Sequence, residues 1–224
     1  MGSSFSLKTL YLALYNTFSM LGWGYLLYLI GVHYVENQPI TTLQNTVLEP
    51  LKFIQTLAIL EIVHAATGIV RASAFTTFTQ VFSRLFALWG LAVILPPSSS
   101  SVFFTIMVTS WSLVEVPRYA FYVLNLFDAV PSFLTWLRYS LFIILYPTGI
   151  TGELGCLFAG LPYVIKYNIL SISLPNEWNI SFSYEFVLFF IVLLYIPGSY
   201  IMFMHMWKQR SKVLFGSQSK SKSE

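Results

Sequence analysis

Charge is what this sequence has least of. Asp, Glu, Lys and Arg make up 9% of its 224 residues, against about 25% in an ordinary soluble domain. So few charges cannot cover a water-facing sphere, which excludes the soluble and disordered classes. A single cysteine, Cys156, excludes intramolecular disulfides and any cysteine-built zinc cluster. The three histidines, His33, His64 and His205, are scattered, so no metal centre is expected. No paired-glycine nucleotide fingerprint and no phosphate-cradling loop occur, and no cofactor is expected. The net charge of +3 is no nucleic-acid footprint: five of the 12 basic residues crowd into the last 17 positions, without aromatics interleaved along a groove. What is present is 56% hydrophobic and 18% aromatic. An all-α integral membrane protein is the class that remains.

A transmembrane helix needs about 20 mostly apolar residues. Six stretches qualify, roughly 11–31, 50–70, 78–95, 101–124, 139–163 and 184–207. Turn-forming residues separate them: Asn37 to Pro39, Pro96 to Ser101, Asp128 to Pro131 and Leu174 to Asn176. The expectation is one six-span transmembrane domain over 1–207 and a basic tail over 208–224. An even number of spans puts both termini on one side. That side receives Lys8, Arg71, Arg138 and the tail basics. The other receives Lys52 and Lys166 with Glu36, Glu49 and Glu177. The bias predicts cytosolic termini.

Several short signals concern address and processing. The first apolar stretch exceeds a signal-peptide core and lacks a small-residue cleavage site, so it reads as a retained span. Met1-Gly2 with Ser6 fits the loose myristoylation pattern, which a multispanning protein does not need. Asn179-Ile180-Ser181 is a glycosylation sequon close to the last span. Lys220 and Lys222, five and three positions from the C-terminus, resemble the dilysine retrieval signal of endoplasmic reticulum membrane proteins. A solvated basic tail is the alternative.

Ionisable groups at bilayer depth usually face a bundle interior, pair up and mark function. Glu61 and His64 stand at i,i+3 and share a helix face. Trp111, Glu115, Arg118 and Tyr122 form one polar stripe along span 4, interrupted by Pro117. Glu115 with Arg118 reads equally as a structural ion pair, and Glu61 with His64 as contacts between helices. Arg71, Arg84 and Arg138 read equally as cations reaching for headgroups. Span 5 carries Tyr146-Pro147-Thr148-Gly149-Ile150-Thr151-Gly152-Glu153. Glu153 has no basic residue within a helical turn or two, and Tyr146 precedes it by seven positions. In an unbroken helix that is two turns, about 10.5 Å along the axis, on nearly one face. Pro147, Gly149 and Gly152 make a regular helix doubtful there and let backbone approach a ligand closely.

A carboxylate and a phenol suit elimination of water, the carboxylate taking a proton from carbon and the phenol assisting the departing hydroxyl. A thioester substrate would need further donors for the developing enolate. His64-Ala65, five residues, then Arg71 echoes the phosphatase pattern His-Cys-x5-Arg. Alanine at position 65 leaves it without its nucleophile.

At these residues the chain resembles the very-long-chain (3R)-3-hydroxyacyl-CoA dehydratase family, also called protein tyrosine phosphatase-like or PASTICCINO-type. The resemblance runs over roughly 11–165. Its blocks are Tyr11-Leu12-x-x-Tyr15-Asn16, Leu60-Glu61-x-x-His64 with Gly68, and Gln80-Val81-x-Ser83-Arg84. They continue with Trp111-Ser112-x-x-Glu115-x-x-Arg118-Tyr119-x-Phe121-Tyr122, Trp136-Leu137-Arg138-Tyr139 and Tyr146-Pro147-x-Gly149-x-x-x-Glu153. The resemblance implies six spans in the endoplasmic reticulum membrane with cytosolic ends. It implies the third step of fatty-acid elongation, removal of water from a 3-hydroxyacyl-CoA to give a trans-2-enoyl-CoA. The family's catalytic tyrosine and glutamate fall on Tyr146 and Glu153. Pro117 departs from the family's pattern and is expected to bend span 4 and shift its polar stripe.

The expected substrate is therefore an acyl-CoA, its tail between apolar helices and its phosphates at the cytosolic face. Arg71, Arg84, Arg138 or the lysine tail would meet the phosphates, and Glu115, Arg118 and Tyr122 are further candidates for substrate contact. Expected partners are membrane lipid and the other elongation enzymes: the condensing enzyme, the 3-ketoacyl-CoA reductase and the enoyl-CoA reductase. The rival readings are a catalytically inactive scaffold of those enzymes and a small-solute transporter. No clear inverted repeat supports the latter.

Overall fold

The computed structural model describes residues 6–172, 174 and 181–216. Met1-Gly2, Glu177, Asn179 and the Lys220–Lys222 pair lie outside the described residues. Among those described the chain is helical, with one isolated antiparallel bridge between Ile172 and Phe182.

Helix α1 spans Leu7–Val35 and starts on Ser6, whose hydroxyl accepts from the Thr9 amide at 3.1 Å, satisfying one of the free N–H groups of the first turn. A 3-10 turn, Ile40–Thr42, leads into α2, Gln44–Leu57, and α3, Ile59–Ala66. The stretch 50–70, expected as one helix, is thus broken at Ala58. No glycine stands at the break, and Pro50 lies eight residues before it. Helix α4, Ala74–Leu85, capped by Ser73, continues without a gap into a π-helical run, Phe86–Val93. Pro96–Ser99 forms the short α5, and Ser101 caps α6, Val102–Asn125. Next come α7, Ser132–Ser140, α8, Phe142–Tyr167, and α9, Tyr184–Leu214. Asn168, in the left-handed conformation at φ 54°, closes α8, as a residue tolerant of that region does.

Among the described residues three stretches are long and apolar enough to cross a membrane: α1, the α7–α8 run over Ser132–Tyr167, and α9. Helix α9 shows the outward face most clearly. Of its residues Tyr184 and Leu188 are buried, while Phe186, Phe190, Leu193, Ile196 and Ile201 are each more than half exposed. Such a surface is stable against hydrocarbon and not against water. Helix α9 also runs through Lys208, Arg210 and Lys212, so the basic segment expected as tail begins as helix.

Helix α6 is the centre of the bundle and packs against α1 on one side and α8 on the other. Trp23 and Leu26 of α1, Phe104, Met107 and Trp111 of α6, and Leu157 of α8 are buried in one core. The α6–α8 contact is close because Gly152 has no side chain. A Cβ there would lie 2.6 Å from the Met107 amide nitrogen. Small residues at such crossings are how membrane helices approach one another. The expectation that Gly149 and Gly152 admit a ligand is therefore corrected: Gly152 faces the α6 backbone, and Gly149 faces Ser110 of the same helix. Nor do Pro147 and the glycines break α8, which is one helix through Pro147 and Pro162.

Candidate active site

Among the described residues three carboxylates sit inside the bundle, and they are partnered in two different ways. Glu115 is 2% exposed. It accepts from Arg118 Nε at 2.6 Å and from the Arg84 guanidinium. Glu61 of α3 accepts from both Arg118 terminal nitrogens, at 2.9 and 3.1 Å, and from the Tyr119 hydroxyl. Two glutamates and two arginines thus form one charge-balanced network joining α3, α4 and α6. Pairing with hydrogen bonds to the remaining sites is what makes buried charge tolerable. Nearby, His64 Nε2 and the Tyr11 hydroxyl are 2.8 Å apart, which ties α3 to α1. The phosphatase-like positions do not converge on a thiol: His64 is buried on Tyr11, Arg71 is exposed, and Cys156 is buried in α8 beside the Ser98 carbonyl.

Glu153 is the exception. It makes no ion pair among the described residues. Its Oε1 accepts from Trp111 Nε1 of α6 at 2.9 Å, and its Oε2 accepts from the Tyr195 hydroxyl of α9 at 2.6 Å. Both donors are neutral. Each oxygen keeps accepting capacity, because a carboxylate has about four lone-pair sites. Such a group is anchored without being neutralised.

Tyr146 lies two turns before Glu153 on the continuous α8, which sets them about 10.5 Å apart along the axis. Its ring centroid is 6.3 Å from that of Phe203 on α9. Helices α8 and α9 run antiparallel, so Tyr146 opposite Phe203 and Glu153 opposite Tyr195 are successive contacts along one seam. Phe142 continues it toward Trp207, at 6.4 Å between ring centroids. The seam between α8 and α9 therefore carries a phenol at one level and, at the next, a carboxylate without an ion pair among the described residues.

The remaining sequence candidates divide among three places. Arg84, Glu115 and Arg118 belong to the ion network. Arg84 also stands over the Trp111 ring at 5.5 Å, so one indole touches both the network and, through Nε1, the Glu153 carboxylate. Arg138 of α7 lies against the faces of Phe121 and Tyr122, 4.6 and 4.5 Å from their centroids, and donates to the Tyr122 hydroxyl at 3.2 Å. Its Nε is buried without a hydrogen-bond partner among the described residues. Arg71 is exposed in the connection between α3 and α4 and joins neither group. Pro117 does not displace the polar stripe: α6 is continuous through it, and the Glu115–Arg118 pair is formed. Tyr195 was not among the sequence candidates. It is one of 14 tyrosines, set in an apolar helix, and only its tertiary contact distinguishes it.

A family model described as protein tyrosine phosphatase-like protein, PTPLA, matches residues 55–216. A relative from Mus musculus named very-long-chain (3R)-3-hydroxyacyl-CoA dehydratase 1 is 40% identical over 210 residues, covering 94% of this chain and 75% of the relative. The Homo sapiens protein named very-long-chain (3R)-3-hydroxyacyl-CoA dehydratase 2 is 39% identical, covering 97% and 86%. An Oryza sativa subsp. japonica protein named very-long-chain (3R)-3-hydroxyacyl-CoA dehydratase PASTICCINO 2B is 38% identical, covering 95% and 96%. No solved structure matches the chain.

Proposed function

Because the chain belongs to the protein tyrosine phosphatase-like family, whose members named above are dehydratases, we propose that it removes water from long and very long (3R)-3-hydroxyacyl-CoA. The products are the trans-2-enoyl-CoA and water, the third step of a fatty-acid elongation cycle. It is a hydro-lyase of a membrane. The observation that carries the site is Glu153, which makes no ion pair among the described residues and is held by Trp111 and Tyr195 on the α8–α9 seam where Tyr146 also lies.

Glu153 acts on C2. The thioester acidifies that position, and the carboxylate takes the proton through one of its free lone pairs. The electron pair left on C2 forms the double bond to C3, and the C3–O bond breaks. Tyr146 donates its phenolic proton to the leaving hydroxyl, which departs as water. Return of the C2 proton from Glu153 to the tyrosinate restores both groups. The opposite assignment of acid and base is balanced in the same way, with the two side chains exchanging roles. The acyl tail lies against the apolar side chains of α8 and α9.

The CoA phosphates are met at the end of the bundle that carries Arg71 and Arg138. Arg84 and Arg118 are already bound to carboxylates, so their part, like that of Glu115, is to hold α3, α4 and α6 together beside the site. Tyr122 serves by orienting Arg138.

The proposed setting is the endoplasmic reticulum membrane, with six crossings and cytosolic termini. The α2–α3 and α4–π pairs supply two crossings, at about 34 and about 30 Å if each pair runs straight. Helices α1, α6, α8 and α9 supply the other four. The basic side of the charge bias, with Arg71, Arg138 and the α9 end, faces the cytosol, where the other elongation enzymes would exchange substrate.

Purified protein in detergent, given (3R)-3-hydroxyacyl-CoA of several chain lengths, tests the reading. Enoyl-CoA detected by mass spectrometry is expected. A well-folded sample with no product at any length refutes it.

A further inference from the structure

The terminal torsion of a glutamate side chain is broad and roughly two-fold. One hydrogen bond therefore leaves a carboxylate free to swing. Two donors on different oxygens, from different helices, do not. Glu153 has this second arrangement: Trp111 of α6 holds Oε1 at 2.9 Å and Tyr195 of α9 holds Oε2 at 2.6 Å.

The two donors are not equivalent. Trp111 is 3% exposed and packed in the core, with Arg84 over its ring. Its position is set by the middle of the bundle. Tyr195 belongs to a helix whose buried residues are Tyr184 and Leu188, and among the described residues its hydroxyl is the one polar tie from α9 to the carboxylate. Tyr146, by contrast, meets α9 through Phe203, an apolar ring.

We infer that Tyr195 is a positioning residue of the dehydration reaction, which fixes the plane of the Glu153 carboxylate and thereby the lone pair that meets the C2 proton. The inference rests on the dehydratase reading. Tyr195 does not itself exchange a proton with substrate. It acts through Glu153, and Trp111 completes the same clamp from the other side.

A mere tie between α8 and α9 would loosen the helices when lost, with no particular effect on proton abstraction. A positioning role predicts something narrower. Misplacing a reacting group by about 1 Å costs on the order of 100-fold in rate. Tyr195→Phe keeps the ring and removes the donor. Its kcat for a (3R)-3-hydroxyacyl-CoA should fall about 10- to 100-fold while KM stays within about twofold. With proton abstraction slowed, the isotope effect from deuterium at C2 should rise above the parent's.

A measurement independent of turnover accompanies the kinetics. The infrared band of the Glu153 carboxyl group, identified as the one absent from Glu153→Gln, should shift in Tyr195→Phe. An unshifted band, a parent-like kcat, or a raised KM with unchanged kcat and isotope effect each overturns the inference. With an active parent those results leave the dehydratase reading standing. A parent without turnover defeats that reading and this inference with it.

Discussion

Gly152→Ala adds one methyl group beside Glu153 and tests how the site is held. The new carbon would lie 2.6 Å from the Met107 amide nitrogen and 2.7 Å from its Cα, where ordinary contacts begin at 3.4 Å. Both partners are backbone, so neither can rotate away. Helices α6 and α8 must part by about 0.8 Å, the shortfall from ordinary contact. The Trp111–Glu153 hydrogen bond crosses this interface. Opened by that amount, its 2.9 Å becomes about 3.7 Å, a separation at which no hydrogen bond remains. Overpacking of this kind costs about 1–3 kcal/mol, which a folded bundle survives, whereas a misplaced catalytic group costs on the order of 100-fold in rate. The expected result is a folded protein whose kcat for (3R)-3-hydroxyacyl-CoA is down about 100-fold. Gly198→Ala is the control, since a Cβ there meets nothing within 4 Å. Parent-like kcat in Gly152→Ala, with Gly198→Ala also normal, would refute the claim that the α6–α8 approach holds Glu153 in place.

Two further predictions concern the arginines. Arg118→Ala leaves Glu61 and Glu115 each short of a cationic partner, and breaking a buried pair costs about 3–5 kcal/mol. A lower unfolding temperature in detergent is expected, larger than for Arg84→Ala, which removes a partner from Glu115 alone. Equal stability to the parent would contradict the network. Arg71→Ala and Arg138→Ala should raise KM for acyl-CoA substrates while changing kcat little, and the shift should shrink at high salt for Arg71, because exposed charge is screened. Unchanged KM in both variants would remove these residues from phosphate recognition.

What the sequence discloses and what it hides follow a physical line. Glu153 is legible because a carboxylate in an apolar helix with no nearby cation is costly wherever its partner stands. Its seven-residue spacing from Tyr146 needs only the regularity of a helix. The charges of the network are legible one at a time, but the joining of Arg84 to Glu115 and of Arg118 to Glu61 is a tertiary fact. Residues 31 and 57 positions apart in the chain meet there. Tyr195 is hidden for a related reason: tyrosines in membrane helices are common at interfaces, and this one differs only by facing Glu153. Gly152 illustrates a correct residue with the wrong neighbour. Close approach is what a glycine permits, and the partner proved to be the backbone of α6. The break at Ala58 and the π-helical run Phe86–Val93 have no marker of their own, since Pro50 lies eight residues before the break, the π-helical run contains no proline, and Gly90 lies well inside it.

The most direct test of the account is single-residue removal of its two reacting groups. Tyr146→Phe and Glu153→Gln are each close in shape to the parent residue, so size-exclusion profiles should match the parent's. Turnover of a long-chain (3R)-3-hydroxyacyl-CoA, followed as enoyl-CoA by mass spectrometry, should fall by at least about 100-fold in each, the scale of a lost general acid or base. Parent-like turnover in either folded variant would contradict the claim that this phenol and this carboxylate carry out the dehydration.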